Sequence, residues 1–124
     1  PNQEISEERV GYTLPRSSRI RQNRDYRRIY RSGKRFSNRA GLCYVVKTKK
    51  PGTRMGFVTT KKIGHAFARN RARRLMKEVT AFIWLSFAHY EVVMLSGIFL
   101  TGATYQQAEK AILSLWRKAG ILVK

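Results

Sequence analysis

Residues 66–87, AFARNRARRLMKEVTAFIWLSF, decide how the rest of the chain is read. At roughly 100° per residue, with Arg69 set to zero, Ala72, Leu75, Met76, Val79, Phe82 and Ile83 fall within about 220–340°. Arg69, Asn70, Arg73, Arg74 and Lys77 fall within about 0–140° on the other side, and Arg71 lies on the border near 200°. The period predicts one long helix with an apolar stripe against a core and a cationic face turned away from it.

Working outward toward the N-terminus, KKPGT (49–53) carries the residues of a turn: Pro51 presets φ and Gly52 tolerates positive φ. It lies between two β-favouring runs, one within 36–48 that includes Leu42, Cys43, Tyr44, Val45 and Val46, the other RMGFVTT (54–60). A hairpin over 42–60 is predicted. Further upstream, DYRRIYRS puts Tyr26, Ile29 and Tyr30 on one helical face. Asn23 is placed to cap that helix, and Gly33 to end it in a left-handed turn. Residues 16–24 are basic and expected to be extended. Residues 1–15 have no period and are expected to form a flexible extension ahead of one domain over 16–124.

Toward the C-terminus, EVVMLS (91–96) reads as a strand. Thr104 can cap a last helix over 105–119, with Ala108, Ile112, Leu115 and Trp116 on one face and Gly120 at its end. Helix, strands, helix, strand, helix is the order of an α+β sandwich. Val79 to Ala103 is apolar for long stretches. His89, Tyr90 and Glu91 interrupt it, leaving pieces too short for a bilayer core of ~30 Å. The polar, acidic start is not that of a signal peptide, and a cytoplasmic protein without a membrane is expected.

Charge narrows the function. Among 124 residues there are 26 Lys or Arg and 7 Asp or Glu, a formal net charge of +19. From Arg16 to Lys77 there are 21 bases and one acid, Asp25, whereas Glu78 to Lys124 is nearly neutral. So strong a segregation asks for a polyanion, with nucleic acid the first candidate. KKIGHAFARNRARRLMKE (61–78) is its densest part, and its one acid comes last. Like charges at i+3 and i+4 repel on a helix, and guanidinium forks match phosphate oxygens. Tyr26, Tyr30 and Tyr44, interleaved with Arg24, Arg27, Arg28 and Arg31, could stack single-stranded bases or line the core. The seven carboxylates are scattered, His65 and His89 lie far apart, and phosphate-cradling glycine motifs are absent, so a self-sufficient nuclease is not expected. The lone Cys43 excludes an intrachain disulfide and reads as a small core residue.

Arg69-Asn70-Arg71 followed by Arg73-Arg74-Leu75 resembles the RNR signature of the bacterial ribonuclease P protein component. GFVTTKKIG (56–64), RDYRRIYRSGKR (24–35) and YQQAEKAILSLWRKAGIL (105–122) resemble that family's blocks in the same order. The resemblance spans about residues 18–122. It implies an α+β fold of about four strands and three helices, in the order α-β-β-β-α-β-α, with a left-handed βαβ crossover against the usual rule. It also implies a partnership with a catalytic RNA that carries Mg²⁺ and removes the 5′ leader of precursor tRNA. On this resemblance the protein binds no metal tightly, needs no protein partner and does not cut by itself. Tyr26, Tyr30, Tyr44 and Lys62 would line a cleft for the leader, and Arg69, Asn70, Arg71, Arg73, Arg74 and Lys77 would form the RNR face toward the catalytic RNA. Three departures stand out: Tyr at both helix aromatics, His65 before the long helix, and the apolar SGIFLTGA (96–103). A structural ribosomal protein is the alternative, and a membrane-surface protein a distant one.

Overall fold

The computed structural model describes residues 19–48, 53–83 and 90–121, without the side chains of 81–83. In chain order these form α1 (Asn23–Ser32), β1 (Lys34–Asn38), β2 (Gly41–Lys47), β3 (Arg54–Val58), a 3₁₀ turn (Lys61–Ile63), α2 (Ala66–Ile83), β4 (Tyr90–Ser96), α3 (Phe99–Gly102) and α4 (Tyr105–Ala119). The class is α+β, as expected. The leader over 1–15 and the end of the long helix over 84–87 lie outside the described residues.

The four strands form one sheet in the order β1-β2-β4-β3. β4 lies inside it because it is apolar on both faces: Val92, Val93 and Met94 are fully buried. β4 runs antiparallel to β2, with Tyr44 opposite Val93, and parallel to β3, with Gly56 opposite Val93. The hairpin predicted over 42–60 is therefore corrected. β2 and β3 are not neighbours, and the twice-buried strand inserts between them. The hairpin instead joins β1 to β2 through Arg39 and Ala40. The Asn38 side-chain oxygen accepts from the Ala40 amide at 2.8 Å, and Gly41 follows at φ 148°. A Cβ on Gly41 would stand 2.1 Å from the Leu95 carbonyl oxygen, so both backbone angle and space require glycine there.

Alternation along the strands sorts side chains into two layers. Cys43, Val45, Met55, Val92 and Met94 point to the main core with Ala72, Met76 and Val79 of α2 and Ile112, Leu115 and Trp116 of α4. Ile29 of α1 packs on the opposite face against Val93 and Ile20, with Tyr26, Tyr44, Val46, Val58 and Leu95 around it. Ile20 donates its amide to the Met55 carbonyl at 2.8 Å, and Arg19 bridges to Met55, so the incoming chain covers part of the β3 edge.

Helix ends follow local chemistry. Thr104 forms a capping box with Gln107, and Gly120 ends α4 at φ 74°. The caps expected for α1 are corrected. Gln22 takes the N-cap position without a side-chain bond, one residue before Asn23. Gly33 is extended at φ −78°, not left-handed. Close approach requires it: a Cβ would lie 2.7 Å from the Ile29 carbonyl oxygen and 3.2 Å from the Val45 nitrogen. The apolar SGIFLTGA contains the short α3, a fourth helix. Leu100 and Ala103 plug the main core, and the Arg39 guanidinium lies 4.8 Å over the Phe99 ring. No helix among the described residues is long and apolar enough to cross a membrane.

Candidate nucleic-acid interface

Two basic surfaces meet along the β3 edge. The first lies between α1 and the sheet. An i, i+4 pair on a helix shares one face, and Tyr26 and Tyr30 have ring centroids 6.4 Å apart. Tyr44 of β2 meets Tyr30 edge-on at 5.0 Å. The three rings thus form one row. Tyr26 is its anchored end: its hydroxyl donates to the Ile20 carbonyl at 3.1 Å, and its ring rests on Gly56 of β3. A Cβ on Gly56 would come 2.6 Å from the tyrosine oxygen, so this glycine makes the room. Tyr30, between the other two rings, is the open member of the row, 37% exposed. Burial pushes the Tyr26 and Tyr30 hydroxyls above their ordinary pKa, so both remain neutral donors at physiological pH.

Asp25, Arg28, Arg54 and Glu91 form a charged cluster below this row. Arg28 reaches Glu91 at 2.7 Å and Asp25 at 3.0 Å, while Arg54 reaches Asp25 at 2.9 Å. The hydrogen bond from Arg28 holds the Asp25 carboxyl below the usual carboxylate range, with Arg54 adding to it. Glu91 is buried on β4, and burying a carboxylate requires paired donors. The cluster missed by sequence reading is this one. Its bonded partners lie as much as 63 positions apart, and the lone acid of the basic half was its only hint.

The second surface is α2. Its apolar stripe is buried at Ala72, Leu75, Met76, Val79 and Thr80, which turns Asn70, Arg74 and Lys77 outward as exposed side chains. Arg69 donates to the Gly64 carbonyl at 3.0 Å, closing the turn that starts the helix. Arg71, on the predicted border, donates to the Ala103 carbonyl beyond α3. Arg73 donates to the Thr59 hydroxyl at 2.7 Å and to the Asn70 side-chain oxygen at 3.2 Å, tying α2 to the end of β3. Burial pulls the Lys77 ammonium below its usual pKa, with repulsion from Arg19 and Arg73 adding to it. The six residues expected on one face therefore fan out over three directions: toward α3, outward, and toward β3. None of them is in an ion pair among the described residues.

Lys62 is exposed on the 3₁₀ turn between β3 and α2. It lines a recess of about 550 Å³ with Lys61, His65, Arg69 and Ile98. The turn thus sets Lys62 beside the start of the α2 face. Among the described residues no three His, Cys, Asp or Glu gather as metal ligands, and Asp25 and Glu91 are held by guanidiniums. This donor set does not fit a resident Mg²⁺. Burial pushes the Cys43 thiol up to about 12, as suits an inert core residue.

Comparison with known proteins bears on this arrangement. The family model described as Ribonuclease P matches residues 14–120. The ribonuclease P protein component of Finegoldia magna is 37% identical over 110 residues, covering 86% of this chain and 94% of that protein. That of Clostridioides difficile is 30% identical over 113 residues, covering 87% and 96%. Among solved structures, the Staphylococcus aureus RNase P protein superposes with a TM-score of 0.79 at 24% identity, covering 85% of this chain and 97% of that one. The Thermotoga maritima RNase P protein gives 0.73 at 22%, covering 81% and 96%. These last two likenesses speak for the fold.

Proposed function

The chain belongs to the ribonuclease P protein family, and from that membership we propose how its two basic surfaces divide the work. As a protein component of ribonuclease P it serves tRNA 5′ processing, within an endoribonuclease complex that associates with ribonuclease P RNA. In our reading the RNA performs the cleavage and holds most of the Mg²⁺, and the protein alone does not cut. Its own part is positional and electrostatic. The α2 face, with Arg69, Asn70, Arg71, Arg73, Arg74 and Lys77, lies against the catalytic RNA near the cleavage region. The tyrosine row and Lys62 hold the single-stranded 5′ leader of precursor tRNA, in the cytoplasm.

One observation carries this reading: charge is sorted within the molecule. The two acids near the tyrosine row neutralise Arg28 and Arg54, whereas the α2 bases spend their hydrogen bonds on neutral oxygens and keep their charge for a partner. The chemistry divides in the same way. Tyr30 offers a ring face for stacking, and the α2 guanidiniums offer forks for phosphate. A polyanion across both surfaces would offset the repulsion from Arg19 and Arg73 that adds to burial in lowering the Lys77 pKa.

The test is reconstitution with a bacterial ribonuclease P RNA at low Mg²⁺, comparing precursors with and without a leader of several nucleotides. The protein should restore leader removal and tighten binding of the precursor that carries a leader. Equal protein-dependent gains for both substrates would refute the cleft role. Cleavage by the protein free of RNA would refute the division of labour.

A further inference from the structure

Phe67 is the side chain that neither surface explains. It lies in the first turn of α2 and is 84% exposed, the most open of the large apolar residues described. Single exposed apolar residues are ordinary, so exposure alone assigns nothing. Its surroundings do. On the helix its neighbours at i+3, i+4 and i+7 are Asn70, Arg71 and Arg74, so the ring stands at the head of the outward polar row. A protein-docking patch gathers apolar residues and thins out charge. Here one aromatic ring stands alone in a cationic field, the combination that grips nucleic acid through a base face and its flanking phosphates.

We propose that Phe67 is a stacking platform for one unstacked base of the RNA bound by α2, with Asn70 and Arg74, one and two turns further along the helix, holding the adjoining backbone. This rests on the reading of α2 as an RNA face and adds a local requirement to it: the RNA must present an unpaired base there. An aromatic face accepts any base, so the site selects single-stranded geometry and not sequence. It is separate from the tyrosine row, since Phe67 belongs to α2 and Tyr26 and Tyr30 to α1.

The experiment measures affinity of the full chain for a bacterial ribonuclease P RNA at several salt concentrations. The variants are Phe67→Ala, Phe67→Leu, Phe67→Tyr, Phe67→Trp and, as a charge control, Arg74→Gln. Phe67→Ala and Phe67→Leu should both weaken binding, by roughly fivefold to a hundredfold for one lost base stack. Their slope of log affinity against log salt should equal that of the parent, because no phosphate contact is removed. Phe67→Tyr and Phe67→Trp should bind like the parent. Thermal unfolding should be unchanged throughout, since the ring leaves no cavity. Binding by Phe67→Leu as tight as the parent would overturn stacking, because leucine keeps the apolar surface without the π face. A change in sedimentation of the RNA-free protein on Phe67→Ala, with affinity for RNA intact, would assign the ring to a contact between copies and overturn the proposal. If Arg74→Gln weakens binding while every Phe67 variant matches the parent, the platform fails and the RNA face stands. If the parent itself does not bind, the underlying reading fails.

Discussion

At the scale of single residues, the tyrosine row contains two kinds of side chain that look alike in sequence. Tyr26 bonds to Ile20 and rests on Gly56, so it holds the α1 layer to the sheet. Tyr26→Phe should cost about 1 kcal/mol of stability for the lost hydrogen bond, and Tyr26→Ala about 2–4 kcal/mol for the lost packing, both read from urea unfolding. Tyr30 is open, and Tyr30→Ala should leave the unfolding midpoint nearly unchanged. It should weaken leader binding by ~1–3 kcal/mol, the order of one base stack. Asp25 gives a pH dependence. Its folded pKa is depressed, so its contribution to stability is complete above the unfolded value near 3.8 and is lost as pH falls through the folded one. Asp25→Asn should flatten the loss of stability at acid pH, and chemical denaturation from pH 5 to pH 2 measures it. A stability curve of unchanged shape would contradict the Arg28–Asp25–Arg54 arrangement.

At the scale of elements, legibility followed the range of the forces involved. The period of α2 and the capping box of α4 are local, and both could be read from the chain. So could Gly120, where a left-handed residue ends the helix. Strand order is not local. The turn residues at 49–53 suggested neighbours, but the burial of β4 on both faces, visible only in the assembled sheet, put it between β2 and β3. The Arg39–Ala40 turn lies within 36–48, whose β-favouring run from Leu42 onward masks it although Ser37, Asn38 and Gly41 around it are turn residues. The four residues of α3 are too few to show a period. The candidate site divided along the same line. The i, i+4 tyrosines and the outward Asn70, Arg74 and Lys77 were legible, whereas the bonds that turn Arg71 toward α3 and Arg73 toward β3 were not. The Arg28–Glu91 pair was not, and neither was the contact that separates Tyr26 from Tyr30, because both join distant elements. One prediction belongs here. Leu115 of α4 is fully buried against the sheet, so Leu115→Ala should cost about 2–5 kcal/mol and lower the thermal midpoint. It should leave the affinity of the still-folded protein for RNA within about twofold, because the helix packs on the core beneath the RNA face.

At the scale of the whole molecule, the fold puts its apolar material inside and leaves a basic region on its surface. That region runs from the tyrosine row, across the β3 edge with Arg19, to α2. A net charge of +19 should speed encounter with RNA and make it strongly dependent on salt. The division between cleft and helix rests on a single physical claim: cations on α2 that have no acid partner among the described residues meet phosphate. Arg74 and Lys77 test it most directly, because both are exposed and neither closes a turn or ties the helix to its neighbours. The decisive measurement is the salt dependence of affinity for a bacterial ribonuclease P RNA, for the parent and for Arg74→Gln/Lys77→Gln. The account predicts weaker binding and a slope of log affinity against log salt shallower by about 1.4–1.8, from two lost contacts at roughly 0.7–0.9 each. Equal affinity and equal slope for the two proteins would contradict it.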